Sequence, residues 1–313
     1  MMSFEEEEVL INGKFTIGAT VSCADREGRH PAIILIGGTG NLDRDGNSKM
    51  VKLNFYKDLA SMFAEWGYAV IRYDKRGLYK SGGDFGTVGL IDLVDDAISV
   101  IQYAKSLPYV DPDKVIVCGH SEGAIIATIL AGRERTAGLM LLGCAATSLK
   151  DSLYYQNRLL SEQSKDTKGF KGMILRKTAD EDKSIARVDE LFSRCSNTEK
   201  EKVFFKGVRM DAKWLREHDE HTSEILIAML RDYEGRILAI IGDKDLSSDY
   251  RRLDLIRDLP NVECYAPAGV NHILREIDDD NSMLNVKKQY TRLSVRPVHE
   301  GTKERMKGWL ASI

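Results

Sequence analysis

Five short apolar runs punctuate this sequence: "PAIILIGG" (Pro31–Gly38), "YAVIRYD" (Tyr68–Asp74), "KVIVCG" (Lys114–Gly119), "GLMLLGCAA" (Gly138–Ala146) and "RILAIIGD" (Arg236–Asp243). Each has few polar interruptions, the pattern of a strand buried on both faces, and parallel sheets covered by helices produce such strands. Helical patterns lie between them. Phe55, Leu59, Met62, Phe63 and Trp66 recur at three- and four-residue spacing, and Leu90, Leu93, Val94, Ala97, Ile98 and Ile101 do the same. The alternation predicts an open α/β sheet with right-handed crossovers.

The pattern breaks between residues 147 and 234. That stretch is rich in charge, holds no convincing strand, and contains amphipathic segments such as "HTSEILIAMLRDY", where Thr222 precedes Ile225, Leu226, Met229 and Leu230. It reads as a mostly helical insertion. The expected organisation is a core in two parts, 1–146 and 235–313, with 147–234 inserted as a cap. The sheet pattern resumes at Ile237 and continues through "VECYAPAGVNHIL" to a final helix, "VHEGTKERMKGWLASI". Ahead of the first buried run, Val9 to Cys23 alternates around "NGK" and predicts an antiparallel strand pair, while Glu5–Glu8 reads as a solvated chain end.

Charge and composition exclude some functions. A net charge of −3 leaves no electrostatic footprint for nucleic acid, and no apolar run reaches membrane-spanning length. The start, "MMSFEEEEVLINGKF", lacks the basic-then-apolar plan of a signal peptide. Five cysteines (Cys23, Cys118, Cys144, Cys195, Cys264) are scattered with no C-x-x-C pair, so a reducing cytoplasm is the expected location.

Within this frame "VCGHSEGAI" carries chemistry. Ser121 stands between Gly119 and Gly123, at a tight turn from a buried strand into the helix-like "GAIIATILAG". Such a turn lifts the hydroxyl clear of the sheet and beside a helix N-terminus, where an anionic intermediate is favoured. A serine hydroxyl needs a base. Of the six histidines, His30 lies at the start of a strand, the end of a parallel sheet that does not bind ligands. His120 adjoins Ser121, but the turn is expected to point the two side chains apart. His218 and His221 fall in the insertion, and His299 begins the last helix. His272, in a loop past the run Val262–Tyr265, remains as the candidate base.

"LAIIGDKDLSSDY" offers Asp243 and Asp245 as acids to orient that base; Asp245 lies two residues further into the loop and is the choice, with Asp243 expected to stay in the turn. The glycines of "LIGGTGNLDRDGN" lie just past a neighbouring strand and allow close backbone approach to a substrate. The Thr39 and Glu122 N–H groups are the expected donors to an oxyanion. Gly38-Thr39-Gly40 also begins a G-x-G dinucleotide pattern, but Asp43 occupies the third glycine's place and a polar run delays any helix.

With "GGTG", "YDKRG", "GHSEG", "GDKD" and "NH" each following a predicted strand, the chain resembles the α/β-hydrolase family, and more narrowly its small serine esterases with a helical lid. The loop "GGTGNLDRDGN" is similar to that of a bacterial esterase subgroup, with Gly37 where that subgroup has histidine. The resemblance implies a mostly parallel, doubly wound sheet of about eight strands with an inserted cap, and a triad in the chain order Ser121, Asp245, His272. It implies acyl transfer to water from carboxylic esters of small to medium acyl groups, with no metal or organic cofactor required. Arg44, Asp43 and Asp45 are expected to tie down their loop, and Phe85 to line the acyl side. The expected partner is a small-molecule ester, and a homodimer is compatible with the sequence. A peptidase or amidase, a thioesterase, an acyltransferase, or a ligand-binding protein without turnover fits the same fold.

Overall fold

The computed structural model describes residues 4–168, 179–278 and 281–313. Its centre is one eight-stranded sheet in the order β1-β2-β4-β3-β5-β6-β9-β10. These are β1 (Glu5–Asn12), β2 (Thr16–Cys23), β3 (His30–Ile36), β4 (Ala69–Tyr73), β5 (Val110–His120), β6 (Gly138–Leu142), β9 (Arg236–Ile240) and β10 (Val262–Tyr265). Only the β1–β2 and β2–β4 pairs of this sheet are antiparallel; β3, β4, β5, β6, β9 and β10 run parallel to one another. The fold class expected from the sequence is therefore the one found.

Strand periodicity divides the core into two layers. Ile34, Val115, Val117, Leu139 and Ile237 face one side, against helices α2 (Leu90–Ser106) and α3 (Glu122–Leu130). Ile33, Ile116, Cys118, Met140 and Leu238 face the other, against helix α1 (Phe55–Glu65) and the C-terminal helix Glu300–Leu310. Successive side chains of a strand point to opposite faces, so an unbroken apolar run is what a sheet covered on both sides requires. Helix α3 is buried along its whole length, which its sequence "EGAIIATIL" permits.

Two sequence expectations need correction. Glu5–Glu8 is not a loose chain end but half of edge strand β1, paired in register with β2 from Glu5↔Cys23 to Asn12↔Thr16. Its carboxylates meet bases: Glu6 pairs with Arg72 at 2.9 Å, Glu7 with Arg26 and Glu8 with Lys80. A row of charges is one way an edge strand avoids pairing with another chain.

The second correction concerns the segment between β6 and β9. It is mostly helical among its described residues, with helices Leu149–Asp166, Glu181–Ser196, Ala212–Asp219 and Ser223–Asp232; residues 169–178 lie outside the described chain. It also holds a hairpin, β7 (Lys202–Phe205) with β8 (Val208–Asp211), where no strand was expected. Lys206 and Gly207 both have positive φ, 49° and 84°, as a two-residue hairpin turn requires. Four-residue strands joined by Lys-Gly instead of Asn-Gly leave little periodicity to read. No helix among the described residues is long and apolar enough to cross a membrane, and all five cysteines are free.

Candidate functional site

Strand β5 delivers Ser121 to the carboxyl end of the sheet with φ 55° and ψ −121°, a conformation most residues avoid. Three contacts hold it there. The Ser121 amide donates to the Leu142 carbonyl at 2.8 Å. A Cβ on Gly119 would lie 2.1 Å from the Gly123 carbonyl oxygen, and one on Gly123 would lie 2.1 Å from that of Ile36. Only glycine at both positions lets strand and helix approach this closely.

The structure brings two more expected residues together. His272 Nδ1 lies 2.7 Å from Asp245 Oδ2, with both residues buried. Asp245 Oδ1 accepts from the amides of Ser247 and Ser248, at 2.7 and 3.0 Å, which fixes the carboxylate from behind. Asp243 instead accepts from the Gly269 amide at 2.7 Å, in the loop after β10 that leads to His272. His272 lies beneath Gly143, whose added Cβ would come 2.9 Å from the imidazole Cε1 and Nδ1. Gly38 abuts Ser121 in the same way, with 2.9 Å between an added Cβ and the serine Cβ. Neither Ser121 Oγ nor His272 Nε2 has a hydrogen-bond partner among the described residues, and such bonds are often long before substrate binds.

Thr39 and Glu122 face the same end of the sheet. Both line a cavity of about 180 Å³, together with Gly40, Lys75, Phe85, Val88, Leu93, Asp211 and Trp214. Among the described residues neither amide has a hydrogen-bond acceptor. The Thr39 loop is tied down as expected. Arg44 meets Asp74 at 2.9 Å, Asp45 meets Arg72 at 2.7 Å, and Asp43 Oδ1 accepts from the amides of Asp45 and Asn47.

Several residues at the site were not singled out in the sequence. His120, expected to point away from Ser121, packs its ring 4.6 Å from that of His272, centroid to centroid. Its Nε2 donates to the His272 carbonyl at 2.9 Å, and its Nδ1 lies 3.1 Å from the Tyr56 hydroxyl. Burial, and then the nearby His272, hold the His120 imidazole well below the usual histidine range.

The Tyr56 hydroxyl also accepts from the Gly38 amide at 2.7 Å. Lys75 donates to the Gly38 carbonyl at 2.6 Å and to Glu122 Oε2 at 2.5 Å. Trp214 Nε1 and His218 Nε2 meet Glu122 Oε1 at 2.6 and 3.3 Å. Burial by itself would raise the Glu122 carboxyl, but the Lys75 charge and the His218 contact outweigh it and hold the group well below the usual carboxylate range. Lys75 sits in the quoted "YDKRG" motif, a usable signal; Tyr56 and Trp214 carried none.

A family model described as "Serine aminopeptidase, S33" matches residues 51–209, just over half of the chain. The chain is an α/β-hydrolase of this family. The hydrolase is 27% identical over 158 residues to esterase EstD of Thermotoga maritima, covering 50% of this chain and 37% of that protein. It is 33% identical over 82 residues to polyketide transferase af380 of Aspergillus fumigatus, covering 26% of this chain and 28% of that one. The matched stretches thus span only about a third of those relatives. Among solved structures, Est1E of Butyrivibrio proteoclasticus aligns with TM-score 0.57 and 16% identity over 93% of this chain and 99% of that one. The Pyrococcus furiosus esterase Pf2001 aligns with TM-score 0.58 and 14% identity over 99% and 92%. At these identities the structural likeness speaks to the hydrolase fold alone.

Proposed function

We propose that this hydrolase cleaves carboxylic esters of small to medium acyl groups through Ser121, His272 and Asp245. The observation that carries the reading is the buried His272–Asp245 pair, 2.7 Å apart, at the same end of the sheet as the strained Ser121. With Nδ1 committed to the carboxylate, Nε2 is the nitrogen free to take the serine proton. Ser121 Oγ attacks the ester carbonyl as His272 removes its proton, and the Thr39 and Glu122 amides receive the oxyanion. His272 then protonates the leaving alcohol. Water, activated by the same imidazole, cleaves the acyl-enzyme, while Asp245 stabilises the imidazolium throughout.

Phe85, Val88, Leu93 and Trp214 give the adjoining cavity an apolar wall, which supports an acyl group as its occupant. The described residues of 147–234 act as the cap over it, contributing Asp211 and the apolar Trp214 to its lining. The name of the matched family raises an aminopeptidase as the second reading. An aminopeptidase needs a carboxylate free to bind the substrate's ammonium group. Both carboxylates lining the cavity are engaged: Glu122 has Lys75, Trp214 and His218 on its oxygens, and Asp211 lies 3.4 Å from the Lys202 ammonium, which favours esters.

A panel of p-nitrophenyl esters of increasing acyl length, run beside aminoacyl p-nitroanilides and acyl thioesters, tests the proposal. Ester turnover that peaks at short to medium chains supports it. Faster aminoacyl anilide than ester cleavage replaces it with the peptidase reading. Transfer of the acyl group to added alcohol in preference to water replaces it with an acyltransferase, and no turnover of any substrate leaves a binding protein on a hydrolase fold.

A further inference from the structure

We propose that Lys75 and the Glu122 side chain are positioning residues that fuse the two halves of the oxyanion hole, and that Trp214 keys this unit to the cap. The inference rests on the reading that the Thr39 and Glu122 amides hold the oxyanion. It goes beyond that reading by naming what aims them.

The Gly38–Thr39 peptide is gripped at the carbonyl that fixes its plane. Lys75 Nζ lies 2.6 Å from the Gly38 oxygen. In a trans peptide the carbonyl and the following N–H point in opposite directions. Holding the Gly38 oxygen on Lys75 therefore directs the Thr39 N–H away from Lys75, and Gly38 itself abuts Ser121. The preceding amide is fixed independently, since Gly38 N–H donates to the Tyr56 hydroxyl at 2.7 Å. A cation on a peptide oxygen also polarises the peptide, which strengthens its N–H as a donor.

The ammonium is placed by the second half of the hole. Glu122 supplies one oxyanion donor from its backbone, and its carboxylate holds Lys75 at 2.5 Å. Both side chains are buried, so the pair has little freedom to exchange partners with water. The other carboxylate oxygen receives Trp214 Nε1 at 2.6 Å and His218 Nε2 at 3.3 Å, both from helix Ala212–Asp219. One carboxylate therefore touches the nucleophile's helix, the lysine behind Thr39, and the segment between β6 and β9. Trp214 also lines the cavity, so an acyl group seated there bears on the residue that completes this network.

Three variants test the assignment: Lys75→Met, Lys75→Arg and Trp214→Phe. Each is assayed for kcat and KM on the best ester, and for binding of a trifluoromethyl ketone with the same acyl group, which forms a tetrahedral oxyanion on the serine. Loss of one donor in a comparable hole costs about 10²–10³ in kcat. Lys75→Met is expected to lose on that order in kcat with KM changed less than about threefold, and to lose ketone affinity by a similar factor. Lys75→Arg is expected to recover part of both, and Trp214→Phe to lose about tenfold in both. Should Lys75→Met fail to fold because it strands a buried carboxylate, the double variant Lys75→Met/Glu122→Gln removes that charge and is expected to show the same parallel losses. A fall in kcat without a fall in ketone affinity, a rise in KM alone, or no change would overturn the assignment while leaving the esterase reading intact. Wild-type protein that neither turns over esters nor binds the ketone would instead overturn the esterase reading, and this assignment with it.

Discussion

His120 Nε2 donates to the backbone carbonyl of His272 at 2.9 Å. A carbonyl can only accept, so that nitrogen carries the proton and Nδ1 is left to accept from the Tyr56 hydroxyl. Both ring nitrogens are thus engaged, and the histidine beside the serine is not free to act as its base. It pins the loop that carries His272, and through Tyr56 it reaches the Gly38 amide 2.7 Å beyond.

This arrangement makes the fold sensitive to acid. Burial, with the His272 neighbour, depresses the folded-state His120 well below its ordinary value of 6.5. As pH falls through that ordinary value, the unfolded chain binds a proton that the folded chain refuses. Stability from this group is therefore present above about pH 6.5 and declines below it, by about 1.4 kcal/mol per pH unit for one proton. Urea unfolding at a series of pH values is expected to show this slope in the wild type and its loss in His120→Gln. Equal slopes in the two proteins would contradict the account of His120.

The choice between the two aspartates is tested by paired substitution. Asp245→Asn is expected to lower kcat on the order of 10³–10⁴-fold, because the amide no longer holds the imidazole in its working tautomer. Asp243→Asn keeps an oxygen to accept from the Gly269 amide and is expected to change kcat less than about threefold. Steady-state kinetics on one ester decide it; a larger loss at Asp243 would reverse the assignment.

Gly143 limits the space above His272. It has φ +65°, and an added Cβ would lie 2.9 Å from the imidazole Cε1 and Nδ1. Gly143→Ala is expected to cost about 1–2 kcal/mol from backbone strain and to lower kcat at least about tenfold by displacing the ring. Urea unfolding measures the first and ester kinetics the second. An unchanged kcat would mean that the ring position seen here is not the working one.

Much of the molecule could be read from residues alone, for physical reasons that differ by region. The parallel strands were legible because burial on both faces demands unbroken apolar runs, as in "KVIVCG". The turn at Ser121 was legible because backbone crowding at Gly119 and Gly123 excludes any side chain. The hairpin at Lys202–Asp211 was not, since its strands are short and Phe204 and Val208 stay exposed, leaving no clean alternation. Helix Val286–Leu293 was also missed: "VKKQYTRL" buries little beyond Gln289 and Leu293. The Lys75–Glu122–Trp214 network joins positions far apart in the chain, and sequence spacing holds no information about such contacts. That His120 is directed by strand β5 onto the His272 loop was not legible either, since the partner lies far along the chain.

The central claim is that Ser121 is a nucleophile activated by His272. Its most direct measurement is labelling with a fluorophosphonate, with the modified residue located by peptide mass spectrometry and ester turnover followed in parallel. Wild-type protein is expected to gain one adduct, on Ser121, and to lose turnover in step with labelling. Ser121→Ala is expected to take no label and to show no turnover above the uncatalysed rate, and His272→Ala is expected to label far more slowly. A wild-type protein that hydrolyses esters yet takes no label at Ser121, or a Ser121→Ala variant that retains turnover, would contradict the account.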